Sequence, residues 1–363
     1  MEICEDKYAW QKLTYDLWRN NGYRGLIRGV CSSGKTRAGC NCIEGYRKDF
    51  PNTEIWIVAP TNEILDQWMK EPLIKDYDNV QFITYISAVN RLMKRHAENP
   101  YGVPDLLVLD EAHTALAPVA GKVLQYGVPH ILALSGTPNG IEKFVGGVFQ
   151  EVDWTSANIA PTKVHYVVFP ISDKEDKKYK EKCESIKKYR EEHPYSHMWN
   201  DDTLSLMYLR RRDYVYKMKS RLPIALKLVK QNLGRRMMIF FERRKQVQEF
   251  AKMLDSEKID YCVHINGDEH LDEYIDGLKD IVLCVHKLQS GFSNPSTDVG
   301  IIVSTALGNA NHIQRVGRII RPKEGKHADI YVLLADKTND LELYGDRFKN
   351  FPPHMVDRID WKE

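Results

Sequence analysis

Short, continuously apolar runs rich in β-branched residues alternate along this chain with stretches of helical periodicity, and the pattern occurs twice. The first set is Gly25 to Val30, Glu54 to Ala59, Gln81 to Tyr85, Leu106 to Leu109 and His130 to Leu134. The second is Met237 to Phe241, Tyr261 to Ile265, Ile281 to Val285, Gly300 to Val303 and Asp329 to Leu334. A strand covered on both faces has no polar side to show, so buried parallel strands read as unbroken apolar runs. Strands alternating with helices imply doubly wound layers. Two sets predict two tandem α/β domains with parallel sheets flanked by helices.

Composition shifts between the sets. Asp173 to Glu192 is dense in lysine and glutamate, an exposed helix with ion pairs at i,i+4 spacing, and Thr203 to Leu233 reads as an amphipathic helix broken near Pro223. The expected division is a first domain over 1–169, a mostly helical connector over 170–232, a second domain over 233–345 and a tail over 346–363. The net charge of +2 means that any grip on a polyanion needs positive charge gathered into a groove. No apolar run approaches the roughly 20 residues needed to span a bilayer, and the acidic start Met1 to Asp6 lacks a signal-peptide core. Seven scattered cysteines, with Cys40 and Cys42 only as C-x-C, fit free thiols in a reducing cytoplasm better than a zinc site.

Gly29-Val-Cys-Ser-Ser-Gly34-Lys35-Thr36 fits G-x-x-x-x-G-K-[ST] and follows directly on a strand. In that context Gly29, Ser32, Ser33 and Gly34 let backbone N–H groups curl around phosphate oxygens, helped by the N-terminus of the next helix. Lys35 would reach the terminal phosphates and Thr36 would ligate Mg²⁺, so ATP and Mg²⁺ are the expected ligands. Further on, Leu106-Leu-Val-Leu-Asp110-Glu111-Ala112-His113 is an apolar strand ending in two acids. Acids at a strand end commonly cap a helix. Downstream of a phosphate loop, however, they lie at the sheet edge where ligands bind, with Asp110 for the metal and Glu111 as general base.

With these motifs in place the sequence resembles the superfamily 2 helicases of the DEAH type, nearest to phage UvsW-like proteins and restriction-enzyme (ResIII) motors. The resemblance runs from about residue 8 to 322 and implies two RecA-like domains. It assigns Gln11, after Trp10, to adenine reading. Thr61 in Val58-Ala-Pro-Thr61, followed by Leu65-Asp-Gln-Trp68, and Thr84 and Tyr85 are assigned to nucleic-acid contact. His113, with Ser135 and Thr137 of Ser135-Gly136-Thr137-Pro138, would couple nucleotide state to movement. In the second half it assigns Phe241 and Ser290 to nucleic acid and Gly291 to the nucleotide. Gln314, Arg318 and Arg321, spaced to share one helix face, become catalytic, the arginines as fingers on the γ-phosphate.

Two positions depart from the family pattern: Ser293 stands where an acid usually contacts the ribose, and His286 where a threonine often precedes the motif. Both bear on nucleotide selectivity and motif V, and leave Lys35, Asp110 and Glu111 untouched. Arg210-Arg211-Arg212, interleaved with Tyr208, Tyr214 and Tyr216, reads first as a solvated helix face with the tyrosines inward. The alternative is a stacking, backbone-tracking surface. His264 and His312 read as structural. The expected protein is a cytoplasmic, bacterial or phage-encoded monomeric helicase or translocase that binds nucleic acid, DNA favoured over RNA, and works with replication or repair proteins. The rivals are a duplex translocase without strand separation and an ATP-gated clamp serving a nuclease or replisome.

Overall fold

The apolar runs become strands within one or two residues of their expected bounds. The computed structural model describes residues 8–137, 139–194, 201–265, 271–285, 296–304, 316–317, 319–341 and 351–362. In its first unit β1 (Arg24–Gly29), β2 (Ile55–Ala59), β3 (Val80–Thr84), β4 (Leu106–Leu109), β5 (His130–Ser135) and β6 (Val148–Val152) form one sheet. The strand order is β3-β2-β4-β5-β1-β6, and the pairings are parallel.

Successive side chains on a strand point to opposite faces, so each run feeds two cores. Ile27, Ile55, Ile57, Leu106, Val108 and Leu134 lie against α1 (Ala9–Asn20), α2 (Lys35–Asp49) and α3 (Asn62–Met69), whose Trp18, Ile43 and Trp68 are fully buried. Leu26, Trp56, Val58, Leu107, Leu109 and Ala133 lie against α4 (Tyr85–Glu98), α5 (Glu142–Val145) and two 3₁₀ turns, Ala112–Leu116 and Ala120–Tyr126.

The second unit holds β7 (Thr162–Phe169), β8 (Met237–Phe241), β9 (Cys262–His264), β10 (Ile281–Val285), β11 (Val299–Ile302), β12 (Ala328–Ala335) and β13 (Val356–Asp360). They form a second parallel sheet in the order β13-β7-β12-β11-β8-β10-β9. Its helices are α6 (Asp173–Glu192), α7 (Asp202–Tyr216), α8 (Arg221–Gln231), α9 (Arg244–Ser256) and α10 (Leu271–Ile275). Leu222, Ala225, Leu228 and Val229 of α8 and Val247, Phe250 and Leu254 of α9 pack on one face of that sheet.

The expected domain limits need three corrections. The units divide between Ile159 and Ala160, not at 169. Strand β7 pairs with β12 along its whole length, Thr162 opposite Ala328 through Phe169 opposite Ala335, and is therefore committed to the second sheet. The helices at 170–232 are no separate connector, because α8 supplies core to the second unit. The tail is no loose segment either: β13 adds to the edge of β7. The expected helix break near Pro223 falls earlier, at residues 217–220, and Pro223 sits in the first turn of α8. There a missing N–H costs nothing, since first-turn amides have no intrahelical acceptor. Among the described residues no helix is long and apolar enough to cross a membrane.

One buried cation pins this second unit. Arg221 is 1% exposed and donates to the carbonyls of Val215, Val303 and Leu333, all at 2.9–3.0 Å, while pairing with the buried Asp340. Arg221→Met keeps the bulk but leaves the buried Asp340 charge without its counter-ion and removes a donor from three carbonyls. It should cost about 3–5 kcal/mol, read as an earlier denaturant transition. An unchanged midpoint would show that the cluster is energetically idle.

Candidate nucleotide-binding and hydrolysis site

Strand β1 ends at Gly29, and the chain must reverse before α2 starts at Lys35. Two left-handed residues make the turn, Ser32 at φ 61° and Gly34 at φ 92°. Glycine suits the second position because side chains rarely adopt that φ, and a Cβ there would also displace the Gln11 side-chain nitrogen, 2.3 Å away. Such a turn directs successive N–H groups to one side, an anion-binding concavity at a helix N-terminus. Lys35 Nζ donates to the loop carbonyls of Gly29 at 2.8 Å and Val30 at 3.0 Å. The Ser33 hydroxyl is buried, 1% exposed, and has no hydrogen-bond partner among the described residues. A buried polar atom left unmet inside such a loop fits a phosphate oxygen as its missing partner. The loop, Lys35 and the half-buried Thr36 thus suit a nucleotide triphosphate and its Mg²⁺.

Gln11 is brought to this loop from α1. Its Nε2 donates to the Gly34 carbonyl at 3.2 Å, and Asn41 of α2 donates to the Gln11 carbonyl at 3.1 Å.

Asp110 follows β4 directly, on a strand between β2 and β5, and its N–H donates to the Val58 carbonyl at 2.9 Å. Each carboxylate oxygen has its own donor: Oδ1 accepts from the Glu111 N–H and Oδ2 from the Trp68 indole, both at 2.8 Å. Burial, followed by the neighbouring charge of Glu111, pushes the Asp110 carboxyl up to about 6. Glu111 turns the chain out of the strand at φ 46°, a left-handed conformation that is uncommon for a non-glycine residue. Its carboxylate lies 3.4 Å from His113 Nδ1, and the same ring nitrogen is 3.2 Å from Ser135 Oγ, which also accepts from the Thr137 N–H at 3.2 Å. Glu111, His113, Ser135 and Thr137 therefore form one connected group at the end of β4 and β5.

The remaining assignments divide. Thr61 and Thr84 sit half-buried just at the N-terminal caps of α3 and α4, on the carboxyl ends of β2 and β3. Tyr85 and Phe241 are corrections: they are 2% and 0% exposed, so neither side chain can lie against a strand of nucleic acid. Tyr85 instead donates its hydroxyl to the Asp110 carbonyl at 3.0 Å, and Phe241 belongs to the second unit's core. Both ended apolar runs whose alternation with the sheet faces puts them inward. Ser290, Gly291, Gln314 and Arg318 lie outside the described residues, as do His286, Ser293 and His312. Arg321 is described. Its carbonyl accepts from Lys326 Nζ at 3.0 Å, and the same amino group caps Ile319 at 2.5 Å. Burial pushes the Lys326 amine down to about 8.

Around α7, Arg210 and Arg212 line a cavity of about 430 Å³ with Arg243, Asp213, Glu242 and the buried Tyr216. Arg243 is paired there with Asp213. Among the described residues the cysteines are free, and no His, Cys, Asp and Glu group could hold a metal without the nucleotide.

Sequence reasoning did not give Trp68 or Lys326 a role. The available signal for Trp68 was chemical: a tryptophan inside an amphipathic helix must bury its ring, and a buried indole N–H needs an acceptor. Nothing in the local pattern marks Lys326.

Residues 5–140 match the family model of the type III restriction enzyme res subunit, and residues 220–323 match the helicase conserved C-terminal domain. A DEAD-box ATP-dependent RNA helicase of Arabidopsis thaliana is 26% identical over 125 residues, 33% of this chain and 22% of that protein's length. Among solved structures, S. cerevisiae Dbp5 bound to RNA and ADP BeF3 superposes with a TM-score of 0.62 at 15% identity, covering 97% of this chain and 89% of the other. The ATP-dependent type ISP restriction-modification enzyme LlaBIII bound to DNA superposes at 0.65 and 15% identity, over 99% of this chain and 31% of that one. At such identities these two matches show a shared fold of tandem RecA-like domains.

Two outcomes follow from the geometry. An Asp110 carboxyl raised to about 6 favours the protonated folded form, so its contribution to stability is full below its ordinary range and is lost as pH climbs through about 6. Without metal, Asp110→Asn should therefore gain stability relative to the native chain as pH rises from about 4 to about 7, measured as a Tm difference. A difference that stays flat would contradict burial of the charge. Glu111→Gln should still bind nucleotide while turnover falls by about 10²–10⁴-fold. Lost binding would instead give Glu111 a structural role.

Proposed function

We propose that this chain, whose residues 5–140 and 220–323 match the res-subunit and helicase C-terminal models, is an ATP-hydrolysing motor acting on nucleic acid, with DNA as its track. The observation that carries this reading is the convergence at one sheet edge. The phosphate loop follows β1, Asp110 and Glu111 follow β4, and Thr61 and Thr84 precede α3 and α4 after β2 and β3, all at the carboxyl edge of one parallel sheet, where the Lys35 charge reaches the Asp110 carboxylate.

In this mechanism the amides of residues 32–36 and the Lys35 ammonium hold the phosphates of ATP. Bound Mg²⁺, held by Asp110 and Thr36, would neutralise charge on the phosphate oxygens. Glu111 takes the proton of the attacking water, and its contact with His113 orients that carboxylate. His113 touches both Glu111 and Ser135, so the base is linked to the strand end that carries Thr137. Gln11 reads the adenine from its seat on the loop. Arg321, with Gln314 and Arg318 outside the described residues, is assigned as a finger by the family resemblance alone. Thr61 and Thr84 grip the phosphodiester backbone, which predicts sequence-independent, salt-sensitive binding.

The Asp110-Glu111-Ala112-His113 sequence supports the DEAH type. The restriction-enzyme model over residues 5–140 supports DNA, and the match to an RNA helicase supports RNA as the second reading. ATPase rates against single-stranded, duplex and branched DNA and against RNA decide between them. The reading predicts strong stimulation by DNA and a weaker response to RNA. Stimulation by RNA alone would reverse the choice of track, and a rate unmoved by any nucleic acid would refute the motor.

A further inference from the structure

We propose that Trp68 and Tyr85 are positioning residues that tie Asp110 to the two nucleic-acid-gripping helix starts, so that strand engagement and metal-nucleotide binding are energetically linked within the first unit. The proposal rests on the reading that Thr61 and Thr84 contact the strand.

The geometry is direct. Helix α3 begins at Asn62, immediately after Thr61, and ends its buried face at Trp68. The Trp68 indole N–H donates to Asp110 Oδ2 at 2.8 Å. Helix α4 begins at Tyr85, immediately after Thr84, whose Oγ1 accepts from the Ser87 N–H and fixes the helix start. The Tyr85 hydroxyl donates to the Asp110 carbonyl at 3.0 Å. One helix start is thereby bonded to the carboxylate and the other to the backbone of the same residue. Trp68 and Tyr85 are 0% and 2% exposed, so neither bond is shared with solvent.

Trp68 also touches the nucleotide side. A Cβ on Gly39 would fall 2.7 Å from the Trp68 ring, so α2, four residues past Lys35, lies directly against the indole. A shift of α3 caused by a strand pulling on Thr61 moves the indole between two fixed neighbours, the α2 backbone and the Asp110 carboxylate. Close-packed interiors transmit such displacements because there is no void to absorb them. A shift of α4 at Thr84 moves the Asp110 main chain through Tyr85. Because the carboxylate's other oxygen is held by the Glu111 N–H, the displacement reorients Asp110 and Glu111 together.

Binding linkage is reciprocal, so it can be read without turnover. The full-length chain is titrated with adenylyl-imidodiphosphate and Mg²⁺, alone and with saturating oligodeoxythymidylate or, as a second arm, oligouridylate. In the native chain the oligonucleotide that binds should tighten the nucleotide by about fivefold or more. In Tyr85→Phe, which loses one hydroxyl, and in Trp68→Phe, which loses the indole donor, each ligand alone should bind within about twofold of native while the linkage falls toward onefold. Tyr85→Phe preserves bulk and keeps the test available should Trp68→Phe fold poorly. Native linkage retained in Tyr85→Phe, or oligonucleotide binding itself lost in that variant, would overturn the relay. A native chain that binds neither oligonucleotide would overturn the reading of Thr61 and Thr84, and the relay with it.

Discussion

The carboxylate of Asp110 is a charge taken out of water at the end of a buried strand, and the surrounding first unit is built to make that tolerable. An isolated buried carboxylate costs several kcal/mol unless hydrogen bonds replace its hydration. Here one oxygen is met by the Glu111 amide and the other by the Trp68 indole, while the main chain is fixed by Val58 and Tyr85. The three donors come from the strand's own continuation, α3 and α4, and β2 supplies the carbonyl that accepts from the Asp110 N–H. The parallel sheet makes this convergence possible, because side-by-side strands running the same way deliver their carboxyl ends to one edge.

The same edge explains the local backbone choices. Ser32, Gly34 and Glu111 all adopt left-handed conformations within the site. The first two bend the chain into an anion-binding turn. The third ends β4 so that the adjacent acids meet different partners, Asp110 the Trp68 indole and Glu111 the His113 ring. Gly39 has a packing reason of equal force, since the indole that serves Asp110 occupies the space a side chain would need.

Much of this was legible in the residues. The apolar runs gave the strands because burial on both faces leaves a pattern that survives in sequence, and the spacing of Gly29 to Thr36 marked the turn that the structure places between β1 and α2. Two kinds of feature were not legible. Sheet membership is a long-range property: nothing local in Thr162 to Phe169 says that it pairs with a strand more than 160 residues later. Side-chain direction at strand ends was the other. Tyr85 and Phe241 stand where the family resemblance placed nucleic-acid contacts, yet alternation turned both rings into the core. The role of Trp68 was hidden for a related reason, since an amphipathic helix predicts a buried tryptophan without identifying its acceptor.

The central claim is that the phosphate loop and the Asp110–Glu111 strand end form one nucleotide site. Backbone amide hydrogen exchange on the full-length chain, with and without Mg²⁺ and a non-hydrolysable ATP analogue, tests it most directly. The account predicts that the amides of residues 32–36 and of 110–111 slow together, with the same dependence on nucleotide concentration. Protection of the loop with no change at Asp110 and Glu111 would contradict it.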